Sequence, residues 1–370
     1  MTPKRPAGAD AIPKPVEGTA PLPSETSPLY AALDLGTNSC RMLIARPEGD
    51  QFAVVDSFSK SVQLGAGLEG TGRLSRASMG RTVQALRICQ QKLKRHNVQN
   101  MRLVATEACR RAKNAKDFMR YVRRETGLKL EIIEPKEEAR LAAISCAPLV
   151  GRDTDQLLIV DIGGGSTELV WVDLSPVAHA ERRQAIMQLR RNLDKGPKDS
   201  RSARVVDWIS VPLGVATLRD QYDDVDDDAA RFALMSCAFE EHLAAFKPYD
   251  LDHSRTGFQV IGTSGTVTTV AASHLGLKRY DRTKVDGLAL TSDQIEAVIR
   301  DYLSLGPEGR RSDPRIGKDR QALIMSGAAI LQALMRCWPT DKLSVADRGL
   351  REGLLYSLMS IDGVLVEKAE

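Results

Sequence analysis

The hydrophobic and polar positions of this chain describe one order of elements that occurs twice. Short apolar runs predict buried strands, and apolar positions spaced three and four residues apart predict helices. In chain order, the first round is predicted as strands over 30–33, 41–46 and 52–58, a helix over 75–96, a strand near 101–106, a helix near 114–125, a strand over 128–133 and a helix from about Lys136.

The second round opens with an apolar strand that ends in aspartate, as the first one does. Its predicted elements are strands over 156–161, 169–172 and 205–210, helices over 227–247, 264–275, 291–304 and 319–337, strands over 259–261 and near 343–345, and a final helix from Leu350. Strands and helices in this order predict an α/β fold of two mixed sheets with helices on both faces.

Two strand-end signatures carry the repeat. DLGTNS at 34–39 and DIGGGST at 161–167 both follow an apolar strand, and they begin 127 positions apart. A repeat of that length indicates two related domains. Because ligands of such sheets bind outside the carboxyl ends of the strands, we expect the two signatures to face each other across a cleft.

The predicted organisation is a tail, two domains and an insertion. Residues 1–28 hold seven of the 17 prolines and almost no large apolar side chains. Such a segment buries too little surface to offset its ordering entropy, so a disordered tail is expected. The first domain is predicted over 29–150 and is joined by the C-terminal helix at 349–364. The second domain covers 151–348 and contains a basic insertion at 174–204.

The insertion after Asp173 is strongly basic. From Arg182 to Arg204 it carries eight arginines and lysines against two aspartates, and the basic residues are Arg182, Arg183, Arg190, Arg191, Lys195, Lys198, Arg201 and Arg204. Two interpretations stay open. The segment is either a solvated hairpin extension or a positive surface that gathers a polyanion by electrostatic steering.

Charge and cysteine content bound the class of protein. The net charge of +4, from 52 basic and 48 acidic residues, is too small to indicate nucleic-acid binding by itself. The six cysteines lack a CxxC pair and a histidine at ligand spacing, which argues against zinc and disulfides and favours a reducing, cytoplasmic environment. The sequence has neither an apolar run of the roughly 20 residues that span a bilayer nor an apolar signal core.

The two signatures have the chemistry of a phosphate and metal site. An aspartate at a strand tip, such as Asp34 or Asp161, can hold a metal ion directly or through water. Glycine lets the backbone approach a ligand closely, and successive N–H groups can surround phosphate oxygens. One glycine hairpin is a common feature, but a matched pair predicts that both grip one phosphate chain, with both aspartates on the same Mg²⁺.

Three further segments offer groups near the same edge. GTSGT at 262–266 follows a strand and opens a helix, which suits an anion site or a plain capped turn. Glu137 and Glu138 begin a helix, where carboxylates favour the helix dipole whatever the function, and at most one of them can point into the cleft. Arg110, just past a strand, either clamps a phosphate through its forked guanidinium or forms a surface ion pair.

The chain resembles the exopolyphosphatase/guanosine pentaphosphate phosphohydrolase family over roughly residues 30–360. The likeness rests on six motifs in the same order: DLGTNS at 34–39, RRAKN at 110–114, EEAR at 137–140, DIGGGSTELV at 161–170, GTSGT at 262–266 and DRGLREG at 347–353. It implies two ribonuclease H-like domains of the actin, sugar-kinase and heat-shock ATPase superfamily around an interdomain active site.

The same likeness implies roles for individual residues. Glu138 would be the catalytic base, Asp161 would orient the attacking water, and both would hold Mg²⁺ together with Asp34. With the helix start after strand 259–261 included, the predicted phosphate-binding residues are Gly36, Thr37, Asn38, Ser39, Arg110, Gly163, Gly164, Gly165, Ser166, Ser264, Gly265 and Thr266.

The predicted activity is Mg²⁺-dependent release of terminal orthophosphate from inorganic polyphosphate by in-line attack of water. Removal of the 5′-terminal phosphate of guanosine pentaphosphate is an alternative, because both substrates end in the same group. An alternative of another class is an actin-like, ATP-switched binding protein, which also needs two phosphate hairpins. A sugar kinase is weaker, since no sugar pocket or adenine site is recognisable.

The resemblance also sets expectations about partners. It implies a homodimer and adds guanosine tetraphosphate as an expected ligand, whereas neither a membrane nor a specific nucleic acid is predicted. Longer members of the family carry an extra C-terminal helical domain that resembles metal-dependent phosphohydrolases. Because the sequence stops at Glu370, a short form is expected.

Overall fold

The computed structural model describes residues 28–189, 193, 201–246, 248, 257–318 and 320–365, and the structural statements below refer to this part of the chain. The predicted disorder of the proline-rich tail concerns residues that lie outside it, apart from Pro28. None of the described helices combines the length and the apolar character that crossing a bilayer requires.

The first lobe is built on a mixed sheet of five strands. The strands are β1 (Tyr30–Leu35), β2 (Ser39–Glu48), β3 (Gln51–Ser61), β4 (Asn100–Ala105) and β5 (Glu131–Ile132). They lie in the order β3-β2-β1-β4-β5, with β2 antiparallel to both neighbours and β1, β4 and β5 parallel. The helices of this lobe are α1 (Leu68–Thr71), α2 (Arg76–Arg95), α3 (Glu107–Arg111), α4 (Ala115–Thr126) and α5 (Pro135–Cys146).

The second lobe is built on a sheet of six strands. The strands are β6 (Gln156–Ile162), β7 (Thr167–Asp173), β8 (Arg204–Val211), β9 (Phe258–Thr263), β10 (Ala289–Leu290) and β11 (Leu343–Ala346). The remaining helices are α6 (Arg182–Met187), α7 (Val215–Gln221), α8 (Asp228–Leu243), α9 (Gly265–His274), α10 (Arg282–Val285), α11 (Ser292–Ser312), α12 (Ile324–Cys337) and α13 (Leu350–Ile361).

The two sheets repeat one topology. The order β8-β7-β6-β9-β11 has the same strand directions as β3-β2-β1-β4-β5, and β10 adds an antiparallel edge strand. The duplicated order that the hydrophobic pattern predicts is therefore confirmed. Asp34 and Asp161 occupy the penultimate positions of the equivalent central strands β1 and β6. Both carboxylates thus stand at the ends of strands where ligands of such sheets bind.

The central strands are apolar on both faces because helices cover both sides. In β1, Ala31, Leu33 and Leu35 pack in a core with α2, whereas Tyr30 and Ala32 pack with residues of α13. Successive side chains of a strand point to opposite faces, so a strand covered twice must be a continuous apolar run. Because both faces of β1 are buried, Asp34 is held in place at the edge of the sheet.

Helices α5 and α13 pack against each other between the two sheets. Ala139 of α5 lies in one core with Leu157 of β6, and Leu141 lies in the core of the first sheet. The helices cross so closely that a Cβ placed on Gly353 would lie 1.9 Å from the carbonyl oxygen of Leu141. This crossing holds the first turn of α5, which carries Glu138, at the junction of the lobes.

The differences from the predicted elements concern helix and strand ends and short helices. The strand predicted over 128–133 pairs with β4 at two residues only, and at its predicted start the Leu128 amide binds the Thr126 hydroxyl. The helix predicted over 291–304 continues for two more turns beyond Gly306, whose backbone is not helical. The pattern does not predict α1, α3, α6, α7 and α10, because helices of four to seven residues show too few turns for a period.

One arginine of the basic insertion serves the scaffold, whereas Arg183, Arg201 and Arg204 are exposed. Arg182 is 2% exposed, and its guanidinium donates to the carbonyl oxygen of Arg152 at 2.7 Å and to Oδ1 of Asp155 at 2.6 Å. Both acceptors precede β6, about 20 Å of strand away from Asp161 at the rise of ~3.3 Å per residue. Four of the other basic residues lie outside the described residues, and they are Arg190, Arg191, Lys195 and Lys198.

Candidate active site

The two signature hairpins have the same turn geometry. The amide of Gly36 donates to the carbonyl oxygen of Ser39 at 2.9 Å, and the amide of Gly163 donates to that of Ser166 at 2.9 Å. A Cβ placed on Gly163 would lie 2.7 Å from the Ser166 oxygen, so only glycine fits this turn. The likeness of the two turns extends the duplication from the sheets to the predicted site.

The tips of the hairpins meet between the lobes. A Cβ on Gly164 would lie 3.3 Å from Cβ of Asn38, and a Cβ on Gly165 would lie 2.4 Å from Oγ1 of Thr37. None of these four amides donates to another backbone group of the described chain. Unpaired backbone donors of two opposed hairpins are suited to phosphate oxygens, because successive N–H groups form an anion-binding concavity.

The hairpins border a cleft of about 290 Å³ between the lobes. Its walls contain every predicted site residue except Arg110, and these are Asp34, Gly36, Thr37, Asn38, Ser39, Glu138, Asp161, Gly163, Gly164, Gly165, Ser166, Ser264, Gly265 and Thr266. The structure thus brings together residues from the ends of β1, β6 and β9 and from the start of α5.

Buried carboxyls crowd the floor of the cleft. Burial and then the charges of Glu138 and Asp34 raise the pKa of Asp161 to about 8. Burial also raises the pKa of Asp34, and burial with the charge of Glu168 raises the pKa of Glu138 well above its ordinary value. Like charges that share a poorly hydrated site favour protonation unless a cation neutralises them. The floor is therefore poised for a cation or for protons.

The carboxyls are suited to sparse ligation of a divalent cation. Within the described part of the chain, no three His, Cys, Asp or Glu side chains form a group that could hold one ion. Mg²⁺ keeps several waters and takes one or two carboxylates together with substrate phosphates. Asp34 and Asp161, whose pKa values are both raised, fit this demand. Ligation of Mg²⁺ by Asp34 and Asp161, and participation of Glu138 as a third ligand, stay predictions.

Helix geometry separates the two adjacent glutamates. Pro135 stands at the start of α5, where its fixed backbone angle suits the first helical position. Glu138 is 8% exposed and lines the cleft. Glu137 instead accepts from Nη1 of Arg102 at 2.8 Å and from Nε of Arg140 at 2.8 Å. Only one carboxylate of the pair therefore enters the cleft, as the sequence predicts.

Arg110 lies behind the cleft wall and is held by two carboxylates. Its Nε and Nη2 donate to Oε2 of Glu107 at 3.0 and 2.8 Å. Its Nη1 donates to Oε2 of Glu138 at 2.6 Å and to the carbonyl oxygen of Ile133 at 3.0 Å. These bonds engage most of the five guanidinium N–H groups. Phosphate binding by Arg110 stays a prediction, and a bidentate clamp would require that the guanidinium release one of these partners.

The third glycine segment begins helix α9 and supplies the cap of that helix. The hydroxyl of Ser264 accepts from the amides of Thr266 and Val267 at 3.0 and 3.1 Å, which is an N-cap of α9. Arg320 donates to the carbonyl oxygen of Gly265 at 2.8 Å. The segment lines the cleft as a capped helix end, and anion binding there stays a prediction.

Hairpin symmetry reveals a buried carboxyl beside the candidate site that the sequence analysis missed. Asp161 pairs across the second hairpin with Glu168, as Asp34 pairs across the first hairpin with Arg41. Glu168 is 2% exposed, accepts from the hydroxyl of Ser166 at 2.7 Å, and has a pKa raised to about 7 by burial and by Asp161. Counting outward equally from the two ends of each turn would have identified both partners.

The sequence analysis also missed the cations of the cleft. The basic residues that line it are Arg41, Lys60, Arg320, Arg348 and Arg351. They come from β2, β3, the segment before α12 and the DRGLREG motif, and no local pattern links them. Their positive charge offsets the negative charge of the carboxylates and favours binding of a polyanion in the cleft.

Comparison with known proteins finds relatives that match most of this chain. The guanosine-5′-triphosphate,3′-diphosphate pyrophosphatase of Aeromonas salmonicida is 29% identical over 334 residues, which are 90% of this chain and 60% of that protein. The chain thus spans three fifths of that relative's length.

Solved structures share the architecture. The crystal structure of the Aquifex aeolicus member of the Ppx/GppA family matches with 27% identity and a TM-score of 0.70, over 90% of this chain and 98% of that one. An exopolyphosphatase from Cytophaga hutchinsonii, 21% identical, has the same fold with a TM-score of 0.74 over 92% of this chain and all of that one. The expected two-domain α/β fold is confirmed.

The family assignment rests on the extent of the match. The family model described as the Ppx/GppA phosphatase family covers residues 43–361. This range contains the second lobe and most of the first lobe, and it begins after β1 and the first signature. The first signature, Asp34 to Ser39, repeats the geometry of the second one inside that range. The chain belongs to the Ppx/GppA phosphatase family.

Proposed function

We propose that this protein is a phosphoanhydride hydrolase that releases terminal orthophosphate from inorganic polyphosphate in a Mg²⁺-dependent reaction. One observation carries the proposal. Four backbone amides without backbone partners, at Thr37, Asn38, Gly164 and Gly165, border the same cleft as the buried carboxyl of Glu138. Such a site offers donors to an anionic end group and a proton acceptor beside it.

In the proposed mechanism, the hairpin amides bind the oxygens of the terminal phosphate. Glu138, in its ionised form, accepts a proton from a water aligned with the terminal phosphorus. General-base help of this kind contributes about 10²–10⁴-fold. Most of the remaining acceleration comes from positioning and charge neutralisation, because phosphoryl transfer needs little covalent help. A bound Mg²⁺ would supply part of that neutralisation at Asp34 and Asp161.

Guanosine pentaphosphate is the second candidate substrate. The Aeromonas relative bears the name of an enzyme for that nucleotide, and the substrate ends in the same phosphoanhydride group. In the proposed mechanism the hairpins would bind only the end group, so they would not select between a polymer and a nucleotide. Homodimerisation, cytoplasmic localisation and binding of guanosine tetraphosphate stay predictions of the family resemblance.

The proposal is tested by orthophosphate release from long-chain polyphosphate and from guanosine pentaphosphate at matched concentrations of terminal groups. Release from polyphosphate that stops with a chelator and returns with Mg²⁺ is the expected result. A larger kcat/KM for guanosine pentaphosphate would assign the nucleotide as substrate. Tight ATP binding without release from either substrate would instead identify an actin-like switch.

A further inference from the structure

A second pocket adjoins the cleft where the two hairpins touch. It has a volume of about 90 Å³ and shares four wall residues with the cleft, which are Thr37, Asn38, Glu107 and Gly165. We call it the rear pocket. Its other walls come from both lobes, with Ala66 and Arg111 on one side and Ala216 and Arg219 on the other.

A thin layer of side chain and backbone separates the two spaces. Gly165 has no room for a Cβ, which would lie 2.4 Å from Oγ1 of Thr37 and 3.0 Å from Cγ of Glu107. Thr37 is 8% exposed, and its hydroxyl has no hydrogen-bond partner within the described residues. A buried hydroxyl without a partner is destabilising. A phosphate oxygen that passes this point would supply the missing partner.

The rear pocket has room for an orthophosphate ion. A single ordered water needs about 10–15 Å³ of such a cavity. The volume of the rear pocket is roughly six times as large. Orthophosphate has five heavy atoms and fits within this volume. The pocket opens to solvent beside Ala66, which is exposed.

Both arginines of the rear pocket are already paired with carboxylates. Arg111 donates to both carboxylate oxygens of Glu69 at 2.5 and 2.9 Å, and Arg219 donates to the carboxylate of its neighbour Asp220 at 2.9 Å. Glu107 accepts two bonds from Arg110, which it shares with Glu138. A wall whose arginines are already paired admits an anion without holding it tightly. This is a property of an exit rather than of a binding site.

We infer that cleaved orthophosphate leaves through the rear pocket. The ion would pass from the cleft into this pocket where Thr37 and Gly165 are in contact. The inference rests on the proposed hydrolase function. A polymer that enters through the cleft places its end group at the hairpin tips, and the shortened chain then blocks the way back. A separate exit lets the chain stay bound between successive cuts. The molecule would therefore shorten long chains processively.

The first experiment narrows the mouth of the rear pocket by a substitution at a residue that does not line the cleft. Ala66→Trp places a large side chain at the exposed mouth, and Ala77→Trp, on an exposed position of α2 outside both spaces, is the matched control. Rapid-quench measurements should show normal formation of the first equivalent of phosphate in Ala66→Trp. Turnover thereafter should be at least about five-fold slower, because release becomes limiting. Gel analysis should show chains of intermediate length, which wild type and Ala77→Trp do not accumulate.

A reversible block guards against misfolding. Ala66→Cys, which differs little in size, is treated with a bulky thiol reagent that forms a mixed disulfide and is then restored with reductant. The wild type is treated in parallel because Cys237 is exposed. Burst kinetics and intermediate chains should appear only in the labelled variant and should disappear on reduction.

The outcomes separate the two proposals. Activity in the wild type with neither a burst nor intermediate chains in the blocked variants would overturn the exit and leave the hydrolase function intact. A wild type that releases no orthophosphate from any phosphoanhydride would overturn both.

Discussion

Nη1 of Arg110 donates a 2.6 Å hydrogen bond to Oε2 of Glu138, which joins the predicted phosphate ligand directly to the predicted base. Glu107 holds the opposite edge of the same guanidinium. A charge-assisted bond of this kind is worth about 1.5–3 kcal/mol. Arg110 therefore fixes the orientation of Glu138 in the substrate-free molecule.

The fork of the guanidinium should be essential to this arrangement. Arg110→Lys keeps the charge, but an ammonium cannot reach Glu107 and Glu138 in the same bridging geometry. Loss of one charge-assisted bond predicts a fall in kcat/KM of about 10–100-fold. Steady-state kinetics on polyphosphate measure it, with Arg120→Lys on the exposed face of α4 as control. A kcat/KM within two-fold of wild type would show that the bridge has no catalytic consequence.

The aspartate pair should set the demand for the cation. Asp161→Asn removes one of the two carboxylates that suit sparse Mg²⁺ ligation, so half-maximal activity should require at least about ten-fold more Mg²⁺. Asp281→Asn, on an exposed turn outside the cleft, should leave that requirement unchanged. A Mg²⁺ titration of phosphate release compares the variants. An identical titration curve for Asp161→Asn would exclude Asp161 as a ligand.

Stability should fall as the pH rises, and Mg²⁺ should oppose that fall. The folded pKa of Asp161 is about 8, whereas an unfolded aspartate titrates near its ordinary value of ~3.9. The folded state therefore binds an extra proton between these values. The stability from that proton is complete below pH ~4 and is lost as the pH rises through about 8. The Tm without divalent cations should fall from pH 5 to pH 8.5.

A divalent cation replaces the proton, so Mg²⁺ should raise the Tm more at pH 8.5 than at pH 5. Each kcal/mol of added stability corresponds to about 2–4 °C for domains of this size. Differential scanning fluorimetry at matched ionic strength measures the Tm at both pH values, with and without Mg²⁺. An equal or larger effect of Mg²⁺ at pH 5 would contradict the proposed competition between proton and cation.

The helix crossing between the lobes predicts opposite effects for two glycines. Gly353→Ala should destabilise the protein by at least about 1–3 kcal/mol, because its Cβ would collide with the Leu141 carbonyl. Gly80, inside α2, has open space around the position that a Cβ would take, so Gly80→Ala should stabilise by about 0.5–1 kcal/mol. Thermal melts of the two variants check the signs. Equal stability of both would refute the close crossing.

The sequence predicts much of this site because local rules place it. An apolar strand followed by aspartate and glycine puts Asp34 and Asp161 at strand ends, and the duplicated order puts both at one cleft. The hairpin turns fix the positions of the amides within a few residues. Glu138 enters by family resemblance, since composition alone favours a plain helix start.

Tertiary contacts and competing hydrogen-bond partners explain the features of the site that the sequence does not predict. The orientation of Arg110 depends on Glu138, which lies 28 positions away and belongs to another helix. Arg182 belongs to a charged run, yet it is buried because Asp155 and a backbone carbonyl across the fold accept its hydrogen bonds. Ser264 caps its own helix instead of leaving every amide for a ligand. Each outcome depends on partners that are distant or equally plausible in the sequence.

The adjacent glutamates of α5 offer the most direct test of the whole account. Glu138→Gln keeps the shape of the side chain and removes the base, and Glu137→Gln removes an equal charge outside the cleft. Phosphate release and polyphosphate binding are measured on both proteins with Mg²⁺. The account predicts that Glu138→Gln binds normally and turns over about 10²–10⁴-fold more slowly, while Glu137→Gln remains active. Turnover of Glu138→Gln within a few-fold of wild type would contradict it.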